Sequence, residues 1–270
     1  MKIIINIFCV VLFIYGNELQ LISSIGNFDS ASKFYISNSG YIYVIDSKLN
    51  KVYQLDTLGN YYNETGGFGW CNTCFDTPTD IFATSLNIFV IDKNNNTLTI
   101  FDKNLNYINK VDLSKLPYGY NLSQPKLLQI SVDGFIYIYD ENKLRIIKYT
   151  MNLKYVNDFG GMNYADFYVS KINKLVVDDY VYAVSDSVIF IFDKYGANLR
   201  KINSQKNIKN FFAKYGQIFT IFDGYIEYTN TLQNRSFTFN CELTNINDIF
   251  YLNGKLYLLL QDKIMVFKII

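Results

Sequence analysis

The sequence predicts an all-β protein, a six-bladed β-propeller whose blades are four-stranded antiparallel sheets. A short apolar run closed by aspartate recurs six times, and each copy is followed by a turn and a second β-rich run. After residue 20 no stretch has the sustained 3.6-residue periodicity of a helix. The closing aspartates lie 46, 48, 46, 37 and 39 residues apart, near the roughly 40 to 45 residues of a propeller blade.

Each copy of the repeat is predicted to supply at least two neighbouring strands. The apolar runs closed by aspartate are 42–46, 88–92, 136–140, 181–186, 218–223 and 256–262. The β-rich runs that follow are 51–56, 97–102, 143–149, 188–193, 225–228 and 264–269. Turn pairs such as Asp133-Gly134 and Asn253-Gly254 separate apolar runs, as they do in tight hairpins.

The ends of the chain predict how the ring of blades closes. The last copy provides three strands, and residues 19–25 form a β-rich run that precedes the first copy. This run is predicted to pair beside residues 263–269 as the fourth strand of the last blade. Such pairing removes the open sheet edge that the incomplete blade would otherwise present.

Composition excludes several classes of function. The chain has 270 residues, enough for one large β domain with a substantial core. Its 25 basic and 24 acidic residues give a net charge of +1 with no run of one sign, so a nucleic-acid interface is not expected. Histidine is absent, which removes histidine general bases, histidine-activated nucleophiles and histidine metal ligands.

Residues 1–16 have the features of a secretory signal peptide. Lys2 precedes an apolar run at 3–15, and the small residue Gly16 follows. The run is short for a membrane span, so we expect no stable span once the signal is removed. The sequence thus predicts a signal peptide at 1–16, a propeller at 17–270, and export to the periplasm, the envelope or the cell exterior. The alternatives are an uncleaved anchor and a buried first strand.

The clearest copy of the repeat also carries a resemblance to a known family. Its segments are GGFG at 66–69, FDTPTDI at 75–81, IFVIDKNNN at 88–96 and IFD at 100–102. This pattern resembles the NHL-repeat propellers, a six-bladed, TolB-like class of the fold. The resemblance implies a propeller over the whole of 17–270 and, by analogy with bacterial secreted members, a binding or scaffold role.

The first strand of each propeller blade lines the central channel. Aligning the copies on their aspartates places six residues at one level of that channel, namely Lys33, Asp80, Leu127, Lys174, Asn210 and Asp248. One interpretation is a polar plug whose charges compensate one another. The other is a divalent-cation site using Asp80, Asn210 and Asp248, as in six-bladed propeller hydrolases and lactonases that hold calcium in the channel. Lys33 and Lys174 would repel that ion, so no metal or other cofactor is expected.

The repeated aspartates themselves have a structural explanation. They stand at strand ends before a turn, where a carboxylate accepts hydrogen bonds from the turn's backbone amides. This role is expected of all six, which are Asp46, Asp92, Asp140, Asp186, Asp223 and Asp262.

Cys71 and Cys74 form a CxxC motif directly after Trp70. The motif of redox enzymes begins a helix in a βαβ fold, whereas here it lies in a loop between two predicted blades. A local disulfide or a free pair without a catalytic role is therefore expected. Cys241 has no obvious partner and is expected to be a small buried hydrophobic residue.

The same loop, 61–77, is the longest polar and aromatic insertion between blades. With 113–124 and 159–164 it is predicted to present aromatic side chains on one face, and these are Tyr62, Phe68, Trp70, Tyr118 and Tyr120. Tyrosine and tryptophan are favoured anchors at interfaces. The alternative is that these rings cover the ends of the blades and pack against one another.

Three hypotheses for function follow. The first is an exported, non-enzymatic propeller whose loop-bearing face binds a protein or an envelope polymer. The second is a divalent-cation-dependent propeller hydrolase or lactonase with its site in the channel. The third is a purely structural module.

Overall fold

The computed structural model describes residues 18–270, apart from the side chains of residues 163–165. The predicted signal peptide, residues 1–16, lies outside the described residues. The described chain is almost entirely β and forms six four-stranded antiparallel sheets. No helix within 18–270 is both long and apolar enough to cross a membrane.

The first three blades follow the strand β1 (Leu19–Ile25) along the chain. Blade 1 consists of β2 (Ala31–Ile36), β3 (Tyr41–Asp46), β4 (Lys51–Asp56) and β5 (Tyr61–Gly66). Blade 2 consists of β6 (Pro78–Ala83), β7 (Asn87–Asp92), β8 (Thr97–Asp102) and β9 (Tyr107–Asp112). Blade 3 consists of β10 (Pro125–Ile130), β11 (Phe135–Asp140), β12 (Arg145–Thr150) and β13 (Tyr155–Phe159).

The second half of the chain builds the other three blades. Blade 4 consists of β14 (Lys174–Val177), β15 (Val181–Val184), β16 (Val188–Phe192) and β17 (Asn198–Asn203). Blade 5 consists of β18 (Asn210–Lys214), β19 (Gln217–Phe222), β20 (Tyr225–Asn230) and β21 (Arg235–Asn240). Blade 6 consists of β22 (Asp248–Leu252), β23 (Lys255–Leu259), β24 (Ile264–Ile269) and β1. Short 3₁₀ helices at Leu113–Lys115 and Met162–Phe167 lie in the connections between blades.

The six sheets form a closed ring around their first strands. Each of β2, β6, β10, β14, β18 and β22 contacts the first strand of the next blade, and β22 contacts β2 to complete the circle. The predicted closure is confirmed because β1 pairs antiparallel with β24, from Leu19 opposite Ile269 to Ile25 opposite Ile264. Blade 6 thereby gains its fourth strand from the other end of the chain.

The core lies between neighbouring blades, where the apolar faces of two sheets meet. Phe101 of blade 2 is fully buried and belongs to an apolar cluster with Tyr43 and Val52 of blade 1. Phe75, from the connection between these blades, packs with its ring centre 6.2 Å from that of Phe101. The strand pattern of the clearest repeat therefore produces an interface between blades.

The predicted role of the repeated aspartates holds in the first three blades. Asp46 accepts hydrogen bonds from the backbone amides of Asp29 and Ser30, at 2.8 and 2.9 Å, and from those of Lys48 and Leu49. Asp92 and Asp140 make equivalent bonds in blades 2 and 3.

The three later aspartates make different contacts because they lie one residue further along in blades 4 and 5 and two residues further along in blade 6. In blade 1 the residue opposite Lys33 is Ile45, directly before Asp46, whereas in blade 4 the residue opposite Lys174 is Val184, two before Asp186. Asp186 accepts a hydrogen bond from the side chain of Asn173. Asp223 forms an ion pair with Lys209, and Asp262 forms one with Lys263.

Candidate functional site

The six channel residues predicted from the repeat stand on the innermost strand of six different blades. Their positions are equivalent in register, since each faces the end of the second strand of its own blade. Lys33, Asp80, Lys174 and Asp248 interact electrostatically with one another. Leu127 is buried among the apolar side chains of blades 3 and 4. The structure therefore brings four charged groups together at one level of the channel.

Asp248 is the most heavily engaged member of this layer. Its carboxylate forms an ion pair with Lys174 across the channel, where the two side chains are 3% and 14% exposed. It also accepts hydrogen bonds from the backbone amides of Phe34, at 3.2 Å, and Ile249, at 3.0 Å. Burial opposes ionisation, but Lys174 and Lys33 outweigh it and hold the pKa of Asp248 below its usual value. Asp248 is thus a paired carboxylate that links blade 6 to blade 1.

Asp80 stands in the same position of blade 2 without a lysine in contact. Its carboxylate accepts hydrogen bonds from the backbone amides of Leu128, at 2.8 Å, and Ile81, at 3.0 Å. Burial raises the pKa of Asp80 to about 6, and the opposing field of Lys33 only partly offsets this. Asp80 therefore titrates at weakly acidic pH while it links blade 2 to blade 3.

The side chain of Asn210, the amide residue of this layer, also forms hydrogen bonds with the backbone. Its Nδ2 donates to the carbonyl of Asn247 at 2.9 Å, and its Oδ1 accepts from the amide of Phe211. Asn247 in turn donates to the carbonyl of Ala31 in blade 1 at 2.7 Å. Among residues 18–270 no group of three or more histidine, cysteine, aspartate or glutamate side chains has an arrangement that holds a metal ion. The side-chain oxygens of Asp80, Asn210 and Asp248 all accept hydrogen bonds from backbone amides.

A layer of aromatic side chains, which was not predicted from the sequence, lies next to the charged layer along the channel. Tyr35 packs on Phe82 and on Phe250, with ring centres 4.4 and 5.0 Å apart, and Phe250 packs on Phe212 at 5.3 Å. These rings line a channel cavity of about 440 Å³ that also contacts Lys174. The signal was present in the sequence, because each aromatic residue stands two positions after one of the predicted channel residues.

Four of the five aromatic residues predicted for the loop-bearing face lie in connections between blades. Phe68 and Trp70 belong to the connection from β5 to β6, and Tyr118 and Tyr120 to the connection from β9 to β10. Phe68, Trp70 and Tyr118 are 75%, 85% and 99% exposed. Tyr120 stacks on Tyr155 with ring centres 3.8 Å apart. We call the face that carries residues 67–77 and 113–124 the loop-bearing face.

Tyr62 does not join the other four aromatic residues. Residues 61–66 form strand β5 rather than loop, and Tyr62 lies at the end of that strand beside the β4–β5 hairpin. Its ring packs edge-on against Tyr41, and its hydroxyl donates to Asp56 at 3.3 Å. Since β5 runs from this hairpin to Gly66 at the loop-bearing face, Tyr62 lies at the opposite end of the blade.

The loop that carries Trp70 is braced at several points. Cys71 and Cys74 are joined by a disulfide, and Lys110 donates to the carbonyl oxygens of both, at 3.0 and 2.8 Å. Phe75 anchors the end of the loop in the core. No helix begins at the CxxC motif, so the disulfide tightens a loop. Cys241 is a buried free thiol, as expected.

The beginning of the loop is held by backbone geometry. Gly66 has a φ of 109°, and a Cβ there would lie 2.5 Å from the carbonyl oxygen of Asn50. The next amide, of Gly67, donates to that same oxygen at 2.8 Å. Only glycine allows this close approach without strain, so the Gly-rich lead-in fixes the direction in which the loop leaves the blade.

Comparisons with known proteins agree on the fold. The chain matches no family model and no curated protein. Among solved structures, a streptogramin B lyase superposes with a TM-score of 0.66 at 12% identity, covering 94% of this chain and 98% of the lyase. A candidate exported protein of Bacteroides fragilis superposes with a TM-score of 0.65 at 9% identity, covering 93% and 95%.

The chain is a six-bladed β-propeller. A third structure is a histidine-to-alanine variant of virginiamycin B lyase from Staphylococcus aureus, described as catalytically inactive and determined with quinupristin. It superposes with a TM-score of 0.62 at 12% identity, covering 94% of this chain and 100% of the lyase. At these identities the likenesses show the fold alone.

Proposed function

We propose that this propeller is an exported, non-enzymatic binding protein that holds a protein or an envelope polymer on its loop-bearing face. The observation that carries the proposal is the indole of Trp70, which is 85% exposed on a loop fixed by a disulfide and by Lys110. A large exposed aromatic group gains binding energy when a partner covers it. On a rigid loop it loses little conformational freedom in doing so.

The neighbouring connection extends this surface. Tyr118 is almost fully exposed, and it lies in the connection that leads to the next blade. Tyr149 donates a hydrogen bond to the carbonyl of Tyr120, which ties this second connection to blade 3. The proposed site thus consists of aromatic side chains on two successive, anchored connections.

The NHL-like repeat at 66–106 supports the same conclusion. Bacterial secreted members of that class imply binding or scaffold roles, and a structural neighbour is described as a candidate exported protein. Export also agrees with the signal-peptide features of residues 1–16. We therefore place the binding partner in the envelope or outside the cell.

The enzymatic alternatives have less support. The neighbouring lyase is described as inactive when one histidine is replaced by alanine, and this chain contains no histidine. For a cation-dependent hydrolase, Asp248 is engaged by Lys174, and Asp80 by backbone amides. A lysine that contacts the carboxylate competes directly with a cation for the same oxygens.

The proposal is tested by affinity capture from envelope extract on immobilised protein of residues 18–270. Trp70→Ala and Tyr118→Ala are expected to lose the captured partner while remaining folded. The matched control is Tyr195→Ala, which removes an aromatic ring that is 81% exposed on the β16–β17 hairpin, away from the loop-bearing face. A partner retained by both loop variants would contradict the proposal.

A further inference from the structure

A wide cleft separates the outer parts of blades 4 and 5. Its volume is about 810 Å³, within the roughly 300 to 1,000 Å³ typical of small-molecule sites. Its walls include Tyr182, Ile189 and Ile191 of blade 4, with Phe211 and Ile218 of blade 5. The cleft shares no residue with the channel layer or with the aromatic residues of the loop-bearing face. A ligand bound in the cleft would therefore contact neither the channel layer nor those aromatic residues.

The cleft stays open because the chain supplies little to fill it. The connection from blade 4 to blade 5 consists of residues 204–209 and buries one apolar side chain, Ile208. By contrast, the connection from blade 3 to blade 4 spans residues 160–173 and buries both Val169 and Ile172. The short connection leaves the outer halves of the two sheets uncovered.

Each wall of the cleft has a row of side chains that lie opposite one another on neighbouring strands. The chemical character of these side chains changes from the bottom of the cleft to its rim. On blade 4, Tyr182 lies opposite Ile191, which lies opposite Arg200. On blade 5, the corresponding row is Phe211, Thr220 and Glu227. The rings of Tyr182 and Phe211 contact each other with centres 5.4 Å apart, so the two rows face one another. Apolar side chains occupy the depth, and charged ones occupy the rim.

The rim charges are free to meet a ligand. Within residues 18–270 neither Arg200 nor Glu227 takes part in an ion pair, although they lie on facing rows. A second cation, Lys206, lies 4.5 Å from the centre of the Tyr225 ring, and Tyr225 stacks on Phe222 at 4.8 Å. Two cations against one anion give the rim a net positive charge.

We propose that this cleft binds a single-chain anionic amphiphile, an alkyl carboxylate whose chain lies between the two sheets. The apolar walls would bury the chain, which is favourable in proportion to the apolar area removed from water. Arg200 would receive the carboxylate, because a guanidinium presents paired donors that match two carboxylate oxygens. Lys206 adds a second positive charge, whereas Glu227 opposes the head group.

Isothermal titration calorimetry with three probes of one chain length tests the chemistry. These are dodecanoate, dodecylammonium and dodecan-1-ol, each below its aggregation concentration. Dodecanoate is expected to bind at one site, about tenfold more tightly than the alcohol. A preference for dodecylammonium, equal binding of the alcohol, or no binding of dodecanoate would overturn the proposal.

Four variants locate the site. Arg200→Met is expected to weaken dodecanoate binding about tenfold, and Glu227→Gln to strengthen it because a repulsive charge is removed. Ile218→Trp is expected to fill the cleft and abolish binding. The matched control, Arg235→Met, changes an exposed arginine on β21 outside the cleft and should leave affinity unchanged. Unchanged affinity in Arg200→Met, with folding verified by thermal melting, would overturn the proposal.

Discussion

Asp80 and Asp248 hold the same position in blades 2 and 6 and make the same pair of backbone hydrogen bonds. Each accepts from the amide of the next residue, at 3.0 Å, and from an amide on the innermost strand of the following blade. They differ in their charged partner, since Lys174 contacts Asp248 alone. One position in the repeat thus links neighbouring blades. Burial raises the pKa of Asp80, whereas the contacting Lys174, together with Lys33, holds that of Asp248 below its usual value.

Asp80 should make stability fall as the pH rises through weakly acidic values. Its folded-state pKa is about 6 against an ordinary 3.8, so the folded protein holds this proton more tightly than the unfolded chain. Ionisation of Asp80 therefore costs stability increasingly from about pH 4 to pH 6, to a total of about 3 kcal/mol.

Urea denaturation at several pH values, with Asp80→Asn as the comparison, measures this effect. The stability of the variant relative to the native protein is expected to increase between pH 4 and 6 and then to level off. Parallel pH profiles for the two proteins would show that Asp80 titrates normally.

Breaking the ion pair in the channel should be strongly destabilising. Lys174→Met leaves the buried carboxylate of Asp248 without its cation, which is expected to cost about 3 to 5 kcal/mol. The double variant Lys174→Met with Asp248→Asn is expected to recover part of that loss, because it removes the unpaired charge. Chemical denaturation at pH 7 tests both, and a loss below about 1 kcal/mol in the single variant would mean that the pair behaves like a surface one.

Truncation of two aromatic residues from the clearest repeat should have very different effects on stability. Phe101→Ala creates a cavity between blades 1 and 2 and is expected to cost about 3 to 5 kcal/mol, because the ring is fully buried. Trp70→Ala is expected to change stability by no more than about 0.5 kcal/mol, since the indole faces solvent. Thermal and chemical denaturation of both variants compare the two roles directly. A large loss of stability in Trp70→Ala would identify the ring as part of the core.

The closure of the ring and the strand order were predictable because they follow from the repeat. Residues 19–25 had no neighbour within their own stretch of sequence, and the last blade lacked a strand, so the pairing of β1 with β24 was the remaining solution. The channel level was predictable for the same reason. Lys33 and Asp80 occupy the same point of a recurring pattern, and the fold converts that point into one layer.

Features that depend on strand register within a blade or on the spacing between blades were not predictable. Asp186 lies one residue out of phase with Asp46, which changes its contacts without changing the pattern of apolar runs. The polar segment around Tyr62 predicts a loop, yet that segment pairs as the outer strand of blade 1. The cleft beside Arg200 depends on how completely a short connection fills the gap between blades 4 and 5. The period of the sequence repeat does not determine how well that gap is filled.

The most direct test of the proposed function is the binding of a captured envelope partner to native protein, Trp70→Ala and Tyr195→Ala, measured by calorimetry. We expect Trp70→Ala to weaken binding by about 2 kcal/mol or more, as a central aromatic anchor does, while Tyr195→Ala binds like the native protein. Equal affinity for all three proteins would contradict the assignment of the loop-bearing face as the binding surface.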